Sequence, residues 1–123
     1  MTNEKDQNRE TMARAFAQRE VNRLKQVRRK YGDEFWAQCL GDSIVSNLTL
    51  ISYRQQGDSQ YLAEYGKLTL LALEPQILEL YKHPQFGGGM AEGIIKELAS
   101  RRYLSIDVEE LYHPPYRPEP RSR

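Results

Sequence analysis

Between Arg9 and Tyr31 the apolar residues Ala13, Phe16, Ala17, Val21, Leu24, Val27 and Tyr31 recur at intervals of three and four, and Gly32–Asp33 closes the run. That spacing lays one apolar stripe along an α-helix. Asn8 is placed to cap the start, and Gly32 can take the left-handed conformation that ends helices. Gly57–Asp58 repeats the same stop-and-cap pair further along. Two such punctuation marks divide the chain into helical stretches.

The second stretch, "EFWAQCLGDSIVSNLTLISYRQQG", steps through Trp36, Leu40, Ile44, Leu48 and Ile51 by four, four, four and three. Residues 44–54 are also rich in strand-favouring side chains. A lone strand would find no partner elsewhere in the chain, so helix is the reading taken. In the third stretch, "SQYLAEYGKLTLLALEPQILELYKHP", the segment Leu68–Leu73 is apolar on most of its circumference, which marks the most buried helix. Leu71, in the middle of that segment, is expected to be among the costliest residues to truncate. Pro75 removes a ladder hydrogen bond and predicts a kink or break after Leu73. A fourth helix follows in "MAEGIIKELASRRYL", with Met90, Ile94, Ile95 and Leu98 inward and the pairs Glu92–Lys96 and Glu97–Arg101 at a spacing of four. Asp107 and Glu110 have capping-box spacing for one short turn. Four prolines in the last eleven residues then predict an extended tail.

The expectation is therefore an all-α protein: an antiparallel bundle of about four helices, a short C-terminal helical turn and an extended Pro-rich tail. Residues 1–8 read as a flexible N-terminus, 9–106 as the bundle, and 107–123 as the turn and tail. The longest wholly apolar run, Leu70–Leu73, is far short of the ~20 residues of a membrane span. The N-terminus is charged throughout and does not read as a signal peptide. A cytoplasmic protein, with no membrane partner, is expected.

Composition excludes little and points to little chemistry. Cys39 is the only cysteine and stands beside Trp36 and Leu40, where a buried inert thiol is expected. His83 and His113 are the only histidines, each next to proline, and no ligand set for a metal accompanies them. No serine stands in a nucleophile-elbow context. Catalytic, cofactor-binding and metal-binding residues are accordingly expected to be none, and the protein is not expected to be an enzyme.

The stretch "KHPQFGGGMAEG" invites a phosphate-cradle reading, because backbone N–H groups at a helix start attract anions. A Walker loop would close on Lys and Ser or Thr, whereas Ala91, Glu92 and Gly93 stand there. The expectation is a connection in which Pro84 ends one helix and the glycines allow the reversal into the next. His83–Phe86 is similar to the core of engineered streptavidin-binding tags, a likeness of four residues that implies nothing about native function. "GIIKELASRRYLSID" resembles the recognition helix and first strand of winged-helix proteins, but the tail supplies neither a second strand nor a wing.

Two surfaces are left to carry function. Residues 1–31 hold nine Lys or Arg against four Asp or Glu, although the whole chain has a net charge of only +1. Arg14, Arg19, Lys25, Arg28, Arg29 and Lys30 form the basic face of the first helix, suited to an acidic protein surface or a nucleic-acid backbone. The tail offers Tyr112, Pro114, Pro115, Tyr116, Arg117, Pro118 and Arg121, with the PxxP spacing that aromatic grooves read. The leading expectation is a non-catalytic interaction or assembly protein, adaptor- or chaperone-like, whose partner is another protein or a sister subunit in a homo-oligomer. The alternative is a small nucleic-acid-binding regulator using the basic face.

Overall fold

A computed structural model describes residues 4–52 and 60–111. Its elements are α1 (Glu4–Tyr31), α2 (Asp33–Ser52), α3 (Gln60–Ala72), α4 (Glu74–Lys82), α5 (Met90–Ser100) and α6 (Val108–Leu111), with no strand among the described residues. The protein is all-α. The chain divides into two compact units, Met1–Leu73 and Glu74–Arg123. Among the described residues no helix is long and apolar enough to cross a membrane.

In the first unit α1, α2 and α3 pack on one another pairwise. The turn between α1 and α2 is a single residue: Gly32 has φ +94°, donates to the Arg28 carbonyl at 2.9 Å and accepts from Trp36 N–H at 3.1 Å. One residue thus ends one helix and starts the next, in the left-handed region that glycine enters without penalty. The core is built from Ala13, Ala17, Val21 and Leu24 on α1, Trp36, Leu40, Ile44 and Ile51 on α2, and Ala63 and Leu70 on α3. Gly66 lets α3 approach α2 closely, since a Cβ there would lie 2.6 Å from the Asn47 carbonyl oxygen.

Several sequence expectations are corrected here. Asn8 does not cap α1, which begins at Glu4; Glu, Lys and Gln propagate a helix well, and a capping preference does not oblige a stop. Residues 44–52, by contrast, are helix as read from the sequence. Leu71 is 43% exposed, whereas Leu70 and Leu73 are fully buried. At ~100° per residue only one side of a leucine run can face the core, and here Ala63, Gly66, Leu70 and Leu73 share it. Phe16, Tyr31 and Met90 are likewise exposed, and Cys39 is half-buried.

The break expected after Leu73 is present: α3 ends at Ala72, and α4 begins at Glu74 with Pro75 in its first turn, where its missing N–H costs nothing. In the second unit α5 packs on α4 and on α6. Ile77, Leu80, Tyr81, Ile95, Leu98, Leu104, Ile106 and Leu111 are buried. The glycine stretch is the α4–α5 connection. Gly87 seats its α-carbon against the end of α4, where a Cβ would meet the Leu80 and Tyr81 oxygens at 2.5 Å and the His83 oxygen at 2.6 Å. His83 Nδ1 accepts from the backbone N–H of Gln85 and Phe86 at 3.1 and 3.3 Å, and its ring stacks on Phe86. The pairs Glu92–Lys96 and Glu97–Arg101 form as their spacing requires.

Candidate functional site

The basic face of α1 is only partly available. Arg28, expected on it, donates from Nε to Asp33 Oδ1 at 2.8 Å and lies 4.1 Å above the centre of the Trp36 ring. It clamps the α1–α2 corner, with both its charge and its planar face engaged. Arg14 pairs with Glu10 at 2.8 Å, and the Lys30 ammonium sits 5.6 Å from the Tyr31 ring centre. Arg19, Lys25 and Arg29 are exposed and hold no ion pair among the described residues. Arg19 and Lys25 lie six residues apart, which rotates them by about 120° from one another. The cations therefore surround the solvent side of α1 instead of lining one track.

A polar seam joins α1 to α2. The Ser43 hydroxyl donates to Glu20 Oε2 at 2.5 Å, and Arg23 donates to both Glu20 oxygens at 2.9 and 2.8 Å. Asn47 Nδ2 donates to the Ser43 carbonyl at 2.8 Å. Arg23, with help from Ser43 and against partial burial, holds the Glu20 carboxyl below its ordinary pKa, and Glu20 in turn holds Arg23 above its own. No buried side-chain polar atom among the described residues lacks a partner, so the seam orients the helices.

The predicted tail residues Tyr112, Pro114, Pro115, Tyr116, Arg117, Pro118 and Arg121 lie outside the described residues. Leu111 is fully buried, and its carbonyl accepts a 2.6 Å hydrogen bond from the buried Tyr81 hydroxyl. The connection leading to it is held by Glu74, whose carboxylate accepts from Ser105 N–H at 2.9 Å, Ser105 Oγ at 2.5 Å and Ile106 N–H at 3.0 Å. Three charge-assisted bonds on one carboxylate fix that backbone against α4.

Two exposed aromatic groups were not singled out as sites in the sequence. Tyr31 and Phe35 meet edge to face at the α1–α2 corner, with centroids 5.3 Å apart. On α1 and α3, Phe16 packs on Tyr65 at 5.8 Å, Tyr65 on Tyr61 at 6.2 Å, and the Arg9 guanidinium lies over Tyr61. The four-residue separation of Tyr31 and Phe35 was the available signal for the first group. The second depends on a contact across nearly fifty residues, which no local pattern carries. Among the described residues no group of three or more His, Cys, Asp or Glu could hold a metal ion. No family model, no curated protein and no solved structure matches this chain.

Proposed function

We propose that the protein is a non-catalytic interaction or assembly protein of the cytoplasm that works through its Pro-, Tyr- and Arg-rich tail. The observation that carries this reading is the Tyr81–Leu111 bond: the last described residue is buried and tied down at the root of the tail. A segment of prolines docks with less entropy loss than a flexible strand, and a fixed root lowers that loss again. Tyr112 and Tyr116 supply aromatic anchors, and Arg117 and Arg121 supply charge for an acidic receiver. The basic side of α1 is the secondary surface of the same reading. An antiparallel bundle of about four helices is part of the same proposal.

A regulator that binds nucleic acid is the second reading, favoured by the exposure of Arg19, Lys25 and Arg29 without carboxylate partners among the described residues. The deciding experiment deletes residues 113–123. The docking reading expects an almost unchanged melting temperature together with loss of a captured partner or of a higher oligomeric state by light scattering. Retention of every partner and of the assembly state after truncation would refute it.

A further inference from the structure

Arg9, Met12, Phe16 and Arg19 follow one another on α1 at steps of three, four and three, so each is the next one's neighbour on the helix surface. All four are exposed, Met12 at 61% and Phe16 at 46%. Beside them on α3 stand Tyr65, packed on Phe16, and Tyr61, 42% exposed with the Arg9 guanidinium over its ring at 5.3 Å. All six residues belong to the first unit. Together they make an apolar patch with one arginine at each end. That charge is uncompensated: Arg9 and Arg19 hold no ion pair among the described residues. The neighbouring carboxylates are already engaged, Glu10 by Arg14 and Glu64 by Lys67.

Three kinds of occupant can meet such a patch, and its geometry separates them. Single-stranded nucleic acid stacks its bases on open aromatic faces. Here the rings meet one another at 41° and 80°, the Tyr61 ring already carries Arg9, and the most exposed apolar member is a flexible thioether. A second copy of the same patch fares no better. A two-fold axis through its middle, whether across α1 or along it, sets arginine against arginine. A different chain, acidic at both ends and apolar between, meets neither obstacle. Its form follows from the receiving surface, because a helical row of side chains is matched by a row on another helix.

We propose that Arg9, Met12, Phe16 and Arg19, with Tyr61 and Tyr65, receive an acidic amphipathic helix of a different protein. Its carboxylates meet Arg9 and Arg19, and its apolar side chains cover Met12, Phe16 and the two tyrosines. Arg9 and Arg19 are ten residues apart, about 15 Å along α1 at ~1.5 Å per residue. On the incoming helix, carboxylates eleven residues apart span about 16.5 Å, and apolar residues four and seven places after the first share their face. The long arginine stems take up the difference. The apolar centre supplies affinity, while the arginines choose the partner and speed the encounter. The surface is separate from the tail and stands whether or not the tail docks.

The probe is a fluorescently labelled helical peptide with the pattern Glu-xxx-Leu-xx-Leu-xxx-Glu in an Ala- and Gln-rich background, titrated into the full-length chain and read by anisotropy. One counterpart carries lysine for both glutamates; another carries alanine for both leucines. The acidic peptide should bind about tenfold more tightly than either, or better. Met12→Glu puts a carboxylate in the middle of the patch on an exposed position. It should weaken binding about tenfold or more while leaving the circular dichroism spectrum unchanged. The double variant Arg9→Glu, Arg19→Glu should exchange the preference and take the lysine peptide, a gain that unfolding does not produce. Equal affinity for the acidic and basic peptides, or binding indifferent to Met12→Glu, overturns the proposal. So does a single-stranded oligonucleotide that binds more tightly than the peptide and is lost in Met12→Glu, since nucleic acid is then the occupant. A dimer of the natural chain that dissociates in Met12→Glu, seen by light scattering, overturns it in favour of a second copy. Truncation at residue 113 should leave peptide binding unchanged, so failure of the tail reading and failure of this one appear in separate assays.

Discussion

Leu70 and Leu71 are adjacent and chemically identical, and the fold treats them oppositely. Leu70 is fully buried, so Leu70→Ala removes packed atoms and leaves a cavity, for an expected loss of about 2–5 kcal/mol. Leu71→Ala removes a half-solvated side chain and should change stability by less than about 1 kcal/mol. Denaturant titration of both variants checks the pair; equal losses would mean that the two faces of α3 have been exchanged. A continuous run such as Leu68–Leu73 carries no period, so its inward side was not legible from the sequence. Nor was the pairing of Glu20 with Ser43, which lie 23 residues apart. Glu20 titrates below its ordinary value, chiefly because Arg23 donates to it. A depressed folded-state pKa contributes stability that is fully present above the unfolded value of about 4.3 and is lost as pH falls through the folded value. Glu20→Gln should therefore destabilise by about 1–2 kcal/mol at pH 7, a figure reduced for the half-exposed Arg23 partner. The gap should close as pH falls below the unfolded value and through the folded one. A gap that is constant with pH would show that shape and not charge is being lost.

Glycine and one arginine mark where elements meet, and their environments differ enough to give opposite mutational signs. Gly66→Ala would thrust a methyl group to 2.6 Å from the Asn47 carbonyl oxygen and 2.9 Å from Ile51 Cγ1, pushing α3 off α2. Overpacking of this kind costs about 1–3 kcal/mol. Gly41, inside α2, has nothing within 4 Å of its Cβ position, so Gly41→Ala should stabilise by about 0.5–1 kcal/mol through helix propensity alone. Thermal unfolding should move the two variants in opposite directions. At the end of α5, Arg102 has φ +63°, while Arg102 N–H donates to Ala99 O at 3.0 Å and Tyr103 N–H to Leu98 O at 2.9 Å. These are the bonds of a Schellman ending, in which glycine is the usual occupant of the left-handed position. Arg102→Gly should raise stability by about 0.5–1 kcal/mol; a loss would assign the arginine side chain a contact worth more than its backbone strain. Element boundaries set by one local residue, Gly32 before Asp33 or Pro75 after Leu73, were legible in advance. The α5 ending was not, because its left-handed residue is an arginine. The start of α1 was misread for a related reason: Asn8 permits a cap, but the residues before it are equally content to be helix.

On the scale of the whole molecule, a net charge of +1 hides an uneven distribution, with a basic N-terminal helix next to an α2 that has no basic residue. The basic helix is also less available than its composition implies. Arg28 is committed to Asp33 and Trp36, so reversing its charge would disturb the α1–α2 corner and could not report on a partner. Reversal at Arg19, Lys25 and Arg29 tests the surface without that confusion. Each phosphate neutralised on duplex DNA steepens the fall of log affinity with log salt by about 0.9. Arg19, Lys25 and Arg29 together therefore contribute no more than about −3 to that slope. An oligonucleotide titration at several salt concentrations should show either no binding or weak binding within that limit, abolished by the triple reversal. A much steeper slope would require cations beyond these three, and the tail arginines Arg117, Arg121 and Arg123 are candidates to supply them. In that case truncation at residue 113 should flatten the slope, and nucleic acid would be what the tail recognises. If the slope is shallow and truncation leaves it unchanged while assembly is lost, the two basic regions serve different partners. The tail then belongs to assembly, and the charge on α1 to its own partner.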